Sequence, residues 1–460
     1  MSTPCSVAVV GGGIAGLVAA RRLDLLGHDV SLLEAAARLG GQLRSEAVGD
    51  ATVDVGAEAL HLAAPQIRAL VDELGLADEL VRPVRSSTWI WSAKGLRRLP
   101  DGVGPTGPSR IGPLVTGRVL SPRGLARAAA EPLVPRTHIE GDVSVGSLLA
   151  SRFGTQLTDR LVDPLLGSLH AGDVHALSAR AVTPELAATV ERSRSLLLAR
   201  RRLRGMHPPS FATLADGLGA LAPRILHGTA VDVRLRSAVH VLRRDGDRFE
   251  VLAADGARLR VDAVVLAVPA TAASRLLAEL APGAAATLAG LRAASVATVV
   301  AAYPRAAIAE APALRATGLL VPSSAGRLLK AATFLSSKWP HLARSERHLV
   351  RLSAGRAGDD RIDHLDDAEL VARLHRDLAD ATGIRSAPDA VAIHRWPGAL
   401  AQLEVGHLER MAGVRHALAD HPGLALAGAP YDGLGVAACV RSAEAAAQQL
   451  DRSASDRRVR

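Results

Sequence analysis

The stretch SVAVVGGGIAGLVAARRLDLLGHDVSLLE, from Ser6 to Glu34, decides the fold of this chain. A short β-branched run, ending at Val10, enters a glycine-rich turn, and leucines and alanines at helical spacing follow. A second apolar run, from Val30 to Leu33, ends directly before Glu34. Strand, helix and strand in this order form a βαβ unit, so we predict a Rossmann-like α/β domain.

The turn inside this unit carries the pattern G-x-G-x-x-G. Gly11 permits the tight turn, Gly13 lets the backbone approach a pyrophosphate, and Gly16 lets the helix lie close to the sheet. The N–H groups and the positive dipole end of the helix then face the phosphates. Glu34, about twenty residues further on, is placed to accept hydrogen bonds from ribose hydroxyls. The pattern predicts a dinucleotide site formed by these residues: Gly11, Gly12, Gly13, Ile14, Ala15, Gly16 and Glu34.

The composition limits the partners of the chain. Its 460 residues allow about two or three domains, and a 2% aromatic content argues against nucleic acid held by base stacking. The net charge is +9, and the only lysines are Lys94, Lys330 and Lys338. This excess of arginine over lysine is typical of a high-GC genome, but arginine clusters also fit an anionic membrane surface. The clusters are Arg97–Arg98, Arg118–Arg127, Arg200–Arg204 and the tail Arg457–Arg460.

No apolar run has the roughly 18 residues that a membrane span needs. The first four residues carry no basic side chain, so we predict no secretory signal and expect a cytoplasmic protein, with weak peripheral membrane contact as an open alternative. The two cysteines, Cys5 and Cys439, lie at opposite ends of the chain. They predict neither a disulfide framework nor a cysteine metal cluster, and we predict no metal site.

Four further segments differ in pattern. Residues 121–204 are mostly helical, without strand-like alternation. Short strands between residues 230 and 269, separated by Asp-Gly pairs, predict that the nucleotide-binding sheet resumes there. Residues 296–353 predict an antiparallel sheet in a separate domain. Residues 424–450 return to strand, glycine turn and helix.

The residues after Glu34 distinguish between NAD and FAD. The segments EAAARLGGQLRS (34–45) and DVGAE (54–58) place a double glycine after a basic residue, then a strand and a second glycine turn. This arrangement resembles the flavin amine-oxidase superfamily. The resemblance implies FAD, held by Glu34 and further residues: Ala35, Arg38, Gly41, Gln42, Gly56, Ala57, Glu58, Ala59, Val233 and Trp396.

The segment GAPYDGLGVAAC, from Gly428 to Cys439, supports the same cofactor. A glycine turn before a helix places N–H groups and a positive dipole end near the flavin pyrimidine ring, which becomes anionic on reduction. A plain connection from strand to helix stays open as the alternative. The cofactor residues predicted here are Gly428, Gly435, Val436 and Ala437.

Several blocks narrow the resemblance to the protoporphyrinogen/coproporphyrinogen oxidase family, in order along the whole chain. They include LVDPLLG (161–167), FATLADGL (211–218), KAATFLSSKWP (330–340), RWP (395–397) and VGH (405–407). The implied fold is α/β: an FAD-binding Rossmann-like domain of the amine-oxidase type, an α+β substrate domain and a helical subdomain. The predicted boundaries are 1–75 with 205–270 and 400–450 for the first, 76–95 with 271–399 for the second, 96–204 for the third, and a basic tail at 451–460.

The resemblance implies porphyrinogen oxidation in haem biosynthesis. Meso carbons give hydride to the flavin while pyrrole N–H protons leave, and three such transfers remove six electrons. The family reoxidises its flavin with O2, producing hydrogen peroxide. This chemistry needs little from side chains, so we predict no catalytic acid or base and interpret His170, His394 and His407 as structural.

The substrate is less constrained by the sequence. Membrane-bound protoporphyrinogen enzymes of the family typically carry an arginine near the positions of Ser87 to Trp89, which is absent here. The chain looks more like the soluble Gram-positive type, which prefers coproporphyrinogen III and passes coproporphyrin III to ferrochelatase. We predict a pocket lined by Thr88, Trp89 and Trp91, with core packing as the alternative, and by His170, where the family commonly has tyrosine.

The chain departs from the family at several positions near the implied cofactor and pocket. Leu403 replaces a tyrosine, and Ala437 and Ala438 replace a proline and an acidic residue. Three other functions therefore stay open: a protoporphyrinogen IX oxidase, another flavin amine oxidase, and a flavin-binding homologue without turnover.

Overall fold

The computed structural model describes residues 4–92, 94–203 and 211–456, so Arg204 and the basic tail from Arg457 onward lie outside the described residues. The described strands, numbered in chain order, are β1 (Ser6–Val10), β2 (Asp29–Leu33), β3 (Ser45–Val48), β4 (Ala51–Asp54), β5 (Leu60–His61), β6 (Leu80–Val81), β7 (Thr88–Ser92), β8 (Gly95–Arg98), β9 (Val103–Gly104), β10 (Gly107–Pro108), β11 (Phe211–Leu214), β12 (Asp232–Arg234), β13 (Val239–Asp245), β14 (Arg248–Ala253), β15 (Arg258–Val261), β16 (Ala263–Leu266), β17 (Ala293–Pro304), β18 (Gly318–Leu320), β19 (Leu329–Phe334), β20 (Arg347–Ala354), β21 (Ala390–Ala401) and β22 (Leu424–Leu426).

The described α-helices, numbered in the same way, are α1 (Ile14–Leu25), α2 (Pro65–Glu73), α3 (Gly112–Gly117), α4 (Pro122–Ala129), α5 (Val145–Phe153), α6 (Thr155–Leu157), α7 (Ser168–His170), α8 (Ala179–Val182), α9 (Pro184–Arg192), α10 (Leu196–Leu203), α11 (Leu221–Leu226), α12 (Ala270–Leu277), α13 (Pro282–Ala289), α14 (Ala307–Glu310), α15 (Leu335–Lys338), α16 (Asp367–Thr382), α17 (His407–Leu418), α18 (Ala429–Asp432) and α19 (Val436–Asp456).

A five-stranded parallel sheet, in the order β12-β2-β1-β16-β22, joins three distant parts of the chain. Its central strands β1 and β16 are covered on both faces, which explains their continuous apolar sequences. Leu17 of α1 and Val440 of α19 pack in the cluster on one face. Leu288 of α13 and Met411 of α17 pack in the cluster on the other. This is the predicted Rossmann-like α/β arrangement.

One detail of the predicted sheet is wrong. The strands between residues 239 and 261 do not join the parallel sheet, because β13, β14 and β15 form an antiparallel sheet of their own. Turns at Asp245–Gly246 and Asp255–Gly256 reverse the chain between them. Such short connections produce antiparallel neighbours, whereas parallel neighbours need a long crossover.

The predicted antiparallel sheet is present and has seven strands, in the order β21-β17-β20-β19-β18-β7-β8. Only the pair β18–β7 within this sheet is parallel. One face packs on α16, which a capping box between Asp366 and Glu369 starts and Gly383 ends. The other face meets the Rossmann-like domain, where Thr298 Oγ1 donates to Val55 O at 2.8 Å.

Helices α3 to α6 and α8 to α10 pack around a separate apolar core that includes Leu148 and Leu161, and a π-helical segment, Thr158–Gly167, runs through it. Pro164 lies inside this segment, where its missing N–H suits an interrupted helical ladder. The three-part architecture agrees with the sequence, and the exact domain boundaries stay a prediction. None of the helices in the described ranges is both long and apolar enough to cross a membrane.

The helical part depends on a buried ion pair. Glu131 is completely buried and accepts hydrogen bonds from Arg152 Nε at 2.9 Å and from Leu196 N at 2.9 Å. Arg152 is only 1% exposed. The Glu131 carboxylate thus neutralises a buried guanidinium and caps the start of α10.

We expect Glu131→Gln to lower the free energy of unfolding by about 3 kcal/mol, because it leaves a buried guanidinium without its counter-ion. Urea unfolding followed by circular dichroism measures this change. The matched control is Glu191→Gln, which removes an exposed pair with Arg180 and should change the value by less than about 1 kcal/mol. Equal effects of the two substitutions would contradict the structural role of Glu131.

Candidate functional site

The first glycine turn brings backbone against backbone. A Cβ at Gly16 would lie 1.8 Å from Gly11 O, so only glycine lets α1 start this close to β1. A Cβ at Gly13 would meet none of the described atoms within 4 Å, so Gly13 faces open space. The first turn of α1 carries neither an acidic residue nor a side-chain cap. Its N–H groups are therefore directed at the open space, where an anionic group would be stabilised.

Glu34 holds this turn closed. Its Oε2 accepts from Gly12 N at 2.6 Å, and its Oε1 accepts from Ala36 N at 2.7 Å, while Ala35 is exposed. Each carboxylate oxygen can accept a second hydrogen bond. The predicted contact with a ribose hydroxyl therefore stays a prediction that this geometry permits.

Arg38 shapes the second glycine turn from within. Its guanidinium donates to the carbonyls of Leu39 at 2.9 Å, Gly41 at 2.6 Å and Leu43 at 3.2 Å. The turn lies beside the first one, because Gly40 N donates to Gly12 O at 2.8 Å. Its terminal nitrogens thus bind backbone carbonyls and position the turn, and the direct cofactor contact predicted for Arg38 stays a prediction.

A third turn completes a cradle of three backbone segments. Ala57 N donates to Gln42 O at 2.8 Å, and Trp396 Nε1 donates to Val55 O at 3.3 Å. A Cβ at Gly56 would lie 1.9 Å from Gln42 O and 3.2 Å from the Trp396 ring. Predicted residues more than 300 positions apart therefore meet at one place. We call these three turns, residues 11–16, 38–43 and 54–59, the glycine cradle.

Glu58 has a different role from the predicted one. Its Oε1 accepts from Lys338 Nζ at 2.6 Å and Trp339 Nε1 at 3.0 Å, and its Oε2 accepts from Arg351 at 3.3 Å. Burial alone would raise the pKa of Glu58, but Lys338 and Arg351 outweigh it and lower the pKa to about 2. The carboxylate ties the cradle to the seven-stranded sheet, and the cofactor contacts predicted for Glu58 and Ala59 stay a prediction.

The C-terminal turn approaches the cradle with another helix start. Gly428 N donates to Ser442 Oγ at 2.9 Å, and a Cβ at Gly435 would meet none of the described atoms within 4 Å. The helix α19 begins at Val436 and has no acidic residue in its first turn, which includes Ala437. A second helix start without acidic side chains is thus available to an anionic group.

Val233 lies apart from these turns, in the edge strand β12 beside β2. Arg234 O accepts from Glu34 N at 2.8 Å, so its neighbour Val233 directs its own backbone groups away from β2. Val233 and Glu34 therefore lie together at this edge of the parallel sheet, whereas Trp396 contacts the third turn.

Two predicted substrate residues lie on the face of the seven-stranded sheet that α16 covers. Trp89 and Trp91 pack in the core on the α16 side of the seven-stranded sheet, where Trp89 Nε1 donates to Ala313 O at 2.9 Å and Arg327 stacks on the Trp91 ring. Successive residues of a strand point to opposite faces. Thr88 therefore belongs to the opposite face of the sheet, which is directed away from α16 and which we call the inner face. Its hydroxyl lies 3.0 Å from that of Thr317. These contacts favour the alternative of core packing for both tryptophans, and a pocket lined by Thr88 stays a prediction.

His170 is buried, and its Nδ1 finds no hydrogen-bond partner among the described residues. Burial lowers its pKa to about 4, so the ring is neutral near pH 7. Its carbonyl accepts from Gln402 Nε2 at 3.0 Å. The neighbouring Leu403 is 1% exposed and packs inside the protein.

The sequence interpretation missed the cations around the cradle. Arg351 Nη2 donates to Gly56 O at 2.6 Å, and Lys338 holds Glu58. One signal was present: two of the three lysines, Lys330 and Lys338, fall in the single block KAATFLSSKWP. This pairing of two rare lysines in one block is the sequence signal that could have pointed to these cations.

The family model for flavin containing amine oxidoreductases matches residues 14–451. The chain belongs to this family. It is 36% identical over 452 residues to the coproporphyrinogen III oxidase of Mycobacterium tuberculosis, covering 96% of each chain. It is 28% identical over 457 residues to the coproporphyrinogen III oxidase of Bacillus subtilis, again covering 96% of each. A solved structure of a candidate protoporphyrinogen oxidase from Exiguobacterium has a TM-score of 0.87 at 28% identity, with 98% and 100% covered.

A flavin is therefore the cofactor of this oxidoreductase, and the residues present fit one. The cradle opens at Gly13, and the C-terminal turn opens at Gly435; side chains are absent at both, and two helix starts supply N–H groups. The indole of Trp396 contacts the third turn of the cradle at Val55. This arrangement suits an anionic linker with an aromatic ring system at one end.

We expect Gly56→Ala to reduce flavin binding about tenfold, because the added methyl group would separate the turns at Gln42 and Gly56. Flavin absorbance per protein after gel filtration measures the loss. Gly413→Ala in α17 is the control, since a Cβ there would meet none of the described atoms within 4 Å. Full flavin retention by Gly56→Ala would contradict the cradle.

The lowered pKa of Glu58 makes the free energy of unfolding depend on pH. Its pKa lies below the ordinary value, so the ionised carboxylate stabilises the fold fully above about pH 4.5, and this contribution is lost as the pH falls toward 2. We expect Glu58→Gln to lower the free energy of unfolding by about 3 kcal/mol at pH 6 and much less near pH 3. Urea unfolding at both pH values tests this. The exposed Glu346→Gln is the control, and a pH-independent difference would contradict the interpretation.

Proposed function

We propose that the protein oxidises coproporphyrinogen III to coproporphyrin III, with FAD as its flavin and O2 as the final electron acceptor. The main support is the contact between the glycine cradle and Trp396 at the inner face of the seven-stranded sheet. The full-length relatives named coproporphyrinogen III oxidase support the choice of substrate.

The length of the predicted cofactor site supports FAD. The predicted set includes two helix starts, of α1 and α19, in addition to Glu34, Val233 and Trp396. Glu34 and the free edge of β12 suit an adenosine, and the helix starts suit a pyrophosphate. A flavin mononucleotide would leave the Glu34 end of the site without a partner.

The bound flavin supplies the hydride acceptor. The residues of the chain position the substrate and exclude water beside it. Ala171, Ala294 and Val296 form a small buried cluster against Trp396 and Leu400. This apolar wall suits the hydrocarbon face of a tetrapyrrole, and a dry pocket prevents loss of the reduced intermediates to side reactions. Catalysis then follows from orientation, in agreement with the absence of a predicted catalytic acid or base.

One side chain argues against an amine as substrate. Tyr431 is the only aromatic residue of the C-terminal turn, and it is 1% exposed. Its hydroxyl donates to Val268 O at 2.7 Å, and its ring packs in the core behind the parallel sheet. It therefore does not contribute to an aromatic pair facing a flavin.

The proposal also includes two partners. Ferrochelatase as the acceptor of the product rests on the sequence resemblance alone, and weak contact with an anionic membrane rests on the charge of the chain alone.

Anaerobic mixing with porphyrinogens tests the function. We expect coproporphyrinogen III to remove the visible flavin absorbance faster than protoporphyrinogen IX, because the former offers four propionates to the cationic inner face. Oxidised coproporphyrin III is the control and should leave the flavin oxidised. Faster reduction by protoporphyrinogen IX would overturn the substrate, and no reduction by either would favour a flavin-binding homologue without turnover.

A further inference from the structure

Lys330 is the most unusual cation of the molecule. It lies in β19 at an irregularity of the strand register between Leu329 and Ala331, and it is only 4% exposed. Its ammonium group has no hydrogen bond or ion pair within the described ranges, and the charges acting on it are those of Arg356 and Arg351. A buried ammonium without a counter-ion is unfavourable in a folded protein, so the group loses its proton more easily unless an anionic ligand supplies the opposite charge.

A second unpartnered donor lies next to it. Val321 N donates to Lys330 O at 3.1 Å, and Arg356 Nη2 donates to Val321 O at 2.7 Å. The other terminal nitrogen of Arg356, Nη1, is buried and has no hydrogen-bond partner among the described residues. The backbone of Val321 thus contacts both Lys330 and Arg356, and each of these two cations has a donor group without a hydrogen bond.

Helix α7 adds a third polar group, the imidazole of His170. Ser168 Oγ lies 3.5 Å from Lys330 O, and Ala357 N donates to Ala171 O at 2.6 Å. His170, between these two contacts, contributes the unpartnered Nδ1 described above. Segments carrying Lys330, Arg356 and His170 therefore touch one another.

The acidic residues nearby are already engaged. Asp163 Oδ2 accepts from Ser323 N at 2.8 Å, and Asp359 pairs with Arg361 at 2.7 Å. Arg351 has Glu58 as its partner. Lys330 consequently retains an uncompensated positive environment, and burial together with Arg356 and Arg351 lowers its pKa to about 7. An anionic group bound here would return the ammonium to its charged form.

This cationic group adjoins the flavin end of the site. Ala171 and Ala357 pack with Trp396 in the apolar cluster that faces the cradle. Arg351, whose charge acts on Lys330, donates to Gly56 O in the cradle itself. An anion held by Lys330 would therefore be attached to a molecule lying beside the flavin.

We propose that Lys330, together with Arg356, binds a carboxylate of the substrate and selects for tetrapyrroles with a propionate at this position. The inference rests on the proposed function and names the recognition group within it. An ammonium and a guanidinium pair strongly with a carboxylate in a buried place. A cationic amine would be repelled by the same two residues.

Equilibrium binding of coproporphyrin III, the product, tests the proposal without turnover. We expect Lys330→Gln to weaken binding about 10- to 100-fold, and Lys330→Arg to recover part of the affinity. The tetramethyl ester of coproporphyrin III, which lacks the carboxylates, should bind wild type and Lys330→Gln equally. The matched control is Arg327→Gln, which removes a cation three positions away on the outer face, where it pairs with Asp377 and Asp380.

Stability separates a ligand-binding role from a structural one. Since Lys330 has no counter-ion within the described protein, Lys330→Met should keep or raise the melting temperature and retain flavin while losing coproporphyrin affinity. A lowered melting temperature with unchanged affinity would overturn the proposal, as would equal losses for the free acid and the ester. Turnover of coproporphyrinogen III by the flavin-loaded wild type is measured separately. If the wild type turns over and the Lys330 variants bind coproporphyrin III as tightly as the wild type, only the role of Lys330 is overturned. If the wild type does not turn over, the proposed function is overturned.

Discussion

Direct contact between backbone segments is the constraint on which the site depends. Gly40 N donates to Gly12 O, and a Cβ at Gly41 would lie 3.1 Å from Gly13 Cα. Because no side chains separate these turns, the N-terminus of α1 is left open to an anionic group. Glu34 and Arg38 use their charged ends on backbone groups of the same turns. They maintain the narrow spacing that the glycines permit.

Charge then couples this cradle to the second domain. Glu58 connects to Lys338 and Arg351, and both belong to the part of the chain that forms the seven-stranded sheet. The same sheet supplies Trp396 and Thr298, which bond to Val55 in the cradle. The cofactor region and the inner face of the sheet are therefore positioned by one network. Paired cations in it support the structure, whereas the unpaired Lys330 is available to a ligand.

The sequence predicted the elements whose cause is local. The βαβ unit, the turns at Gly11 and Gly40, and the start of α19 follow from glycine placement and apolar periodicity. The antiparallel sheet was also predicted, but its two faces were not. Trp89 and Trp91 were assigned to the pocket, although the strand pattern alone cannot tell which face α16 will cover. Likewise, β13 to β15 read as strands, and only their pairing showed that they form a separate sheet.

The sequence by itself determined where the chain turns, where the first helix starts, and where the glycine turns leave the backbone free of side chains. Those properties arise from steric contacts between chain neighbours, which the local sequence specifies. Only the tertiary structure decided which charges are paired. Lys338 is 280 positions from Glu58, yet their side chains bond, while Lys330, eight residues before Lys338, has no acidic partner in the described chain. The pairing of buried charges depends on the distances between segments that meet only in the folded protein.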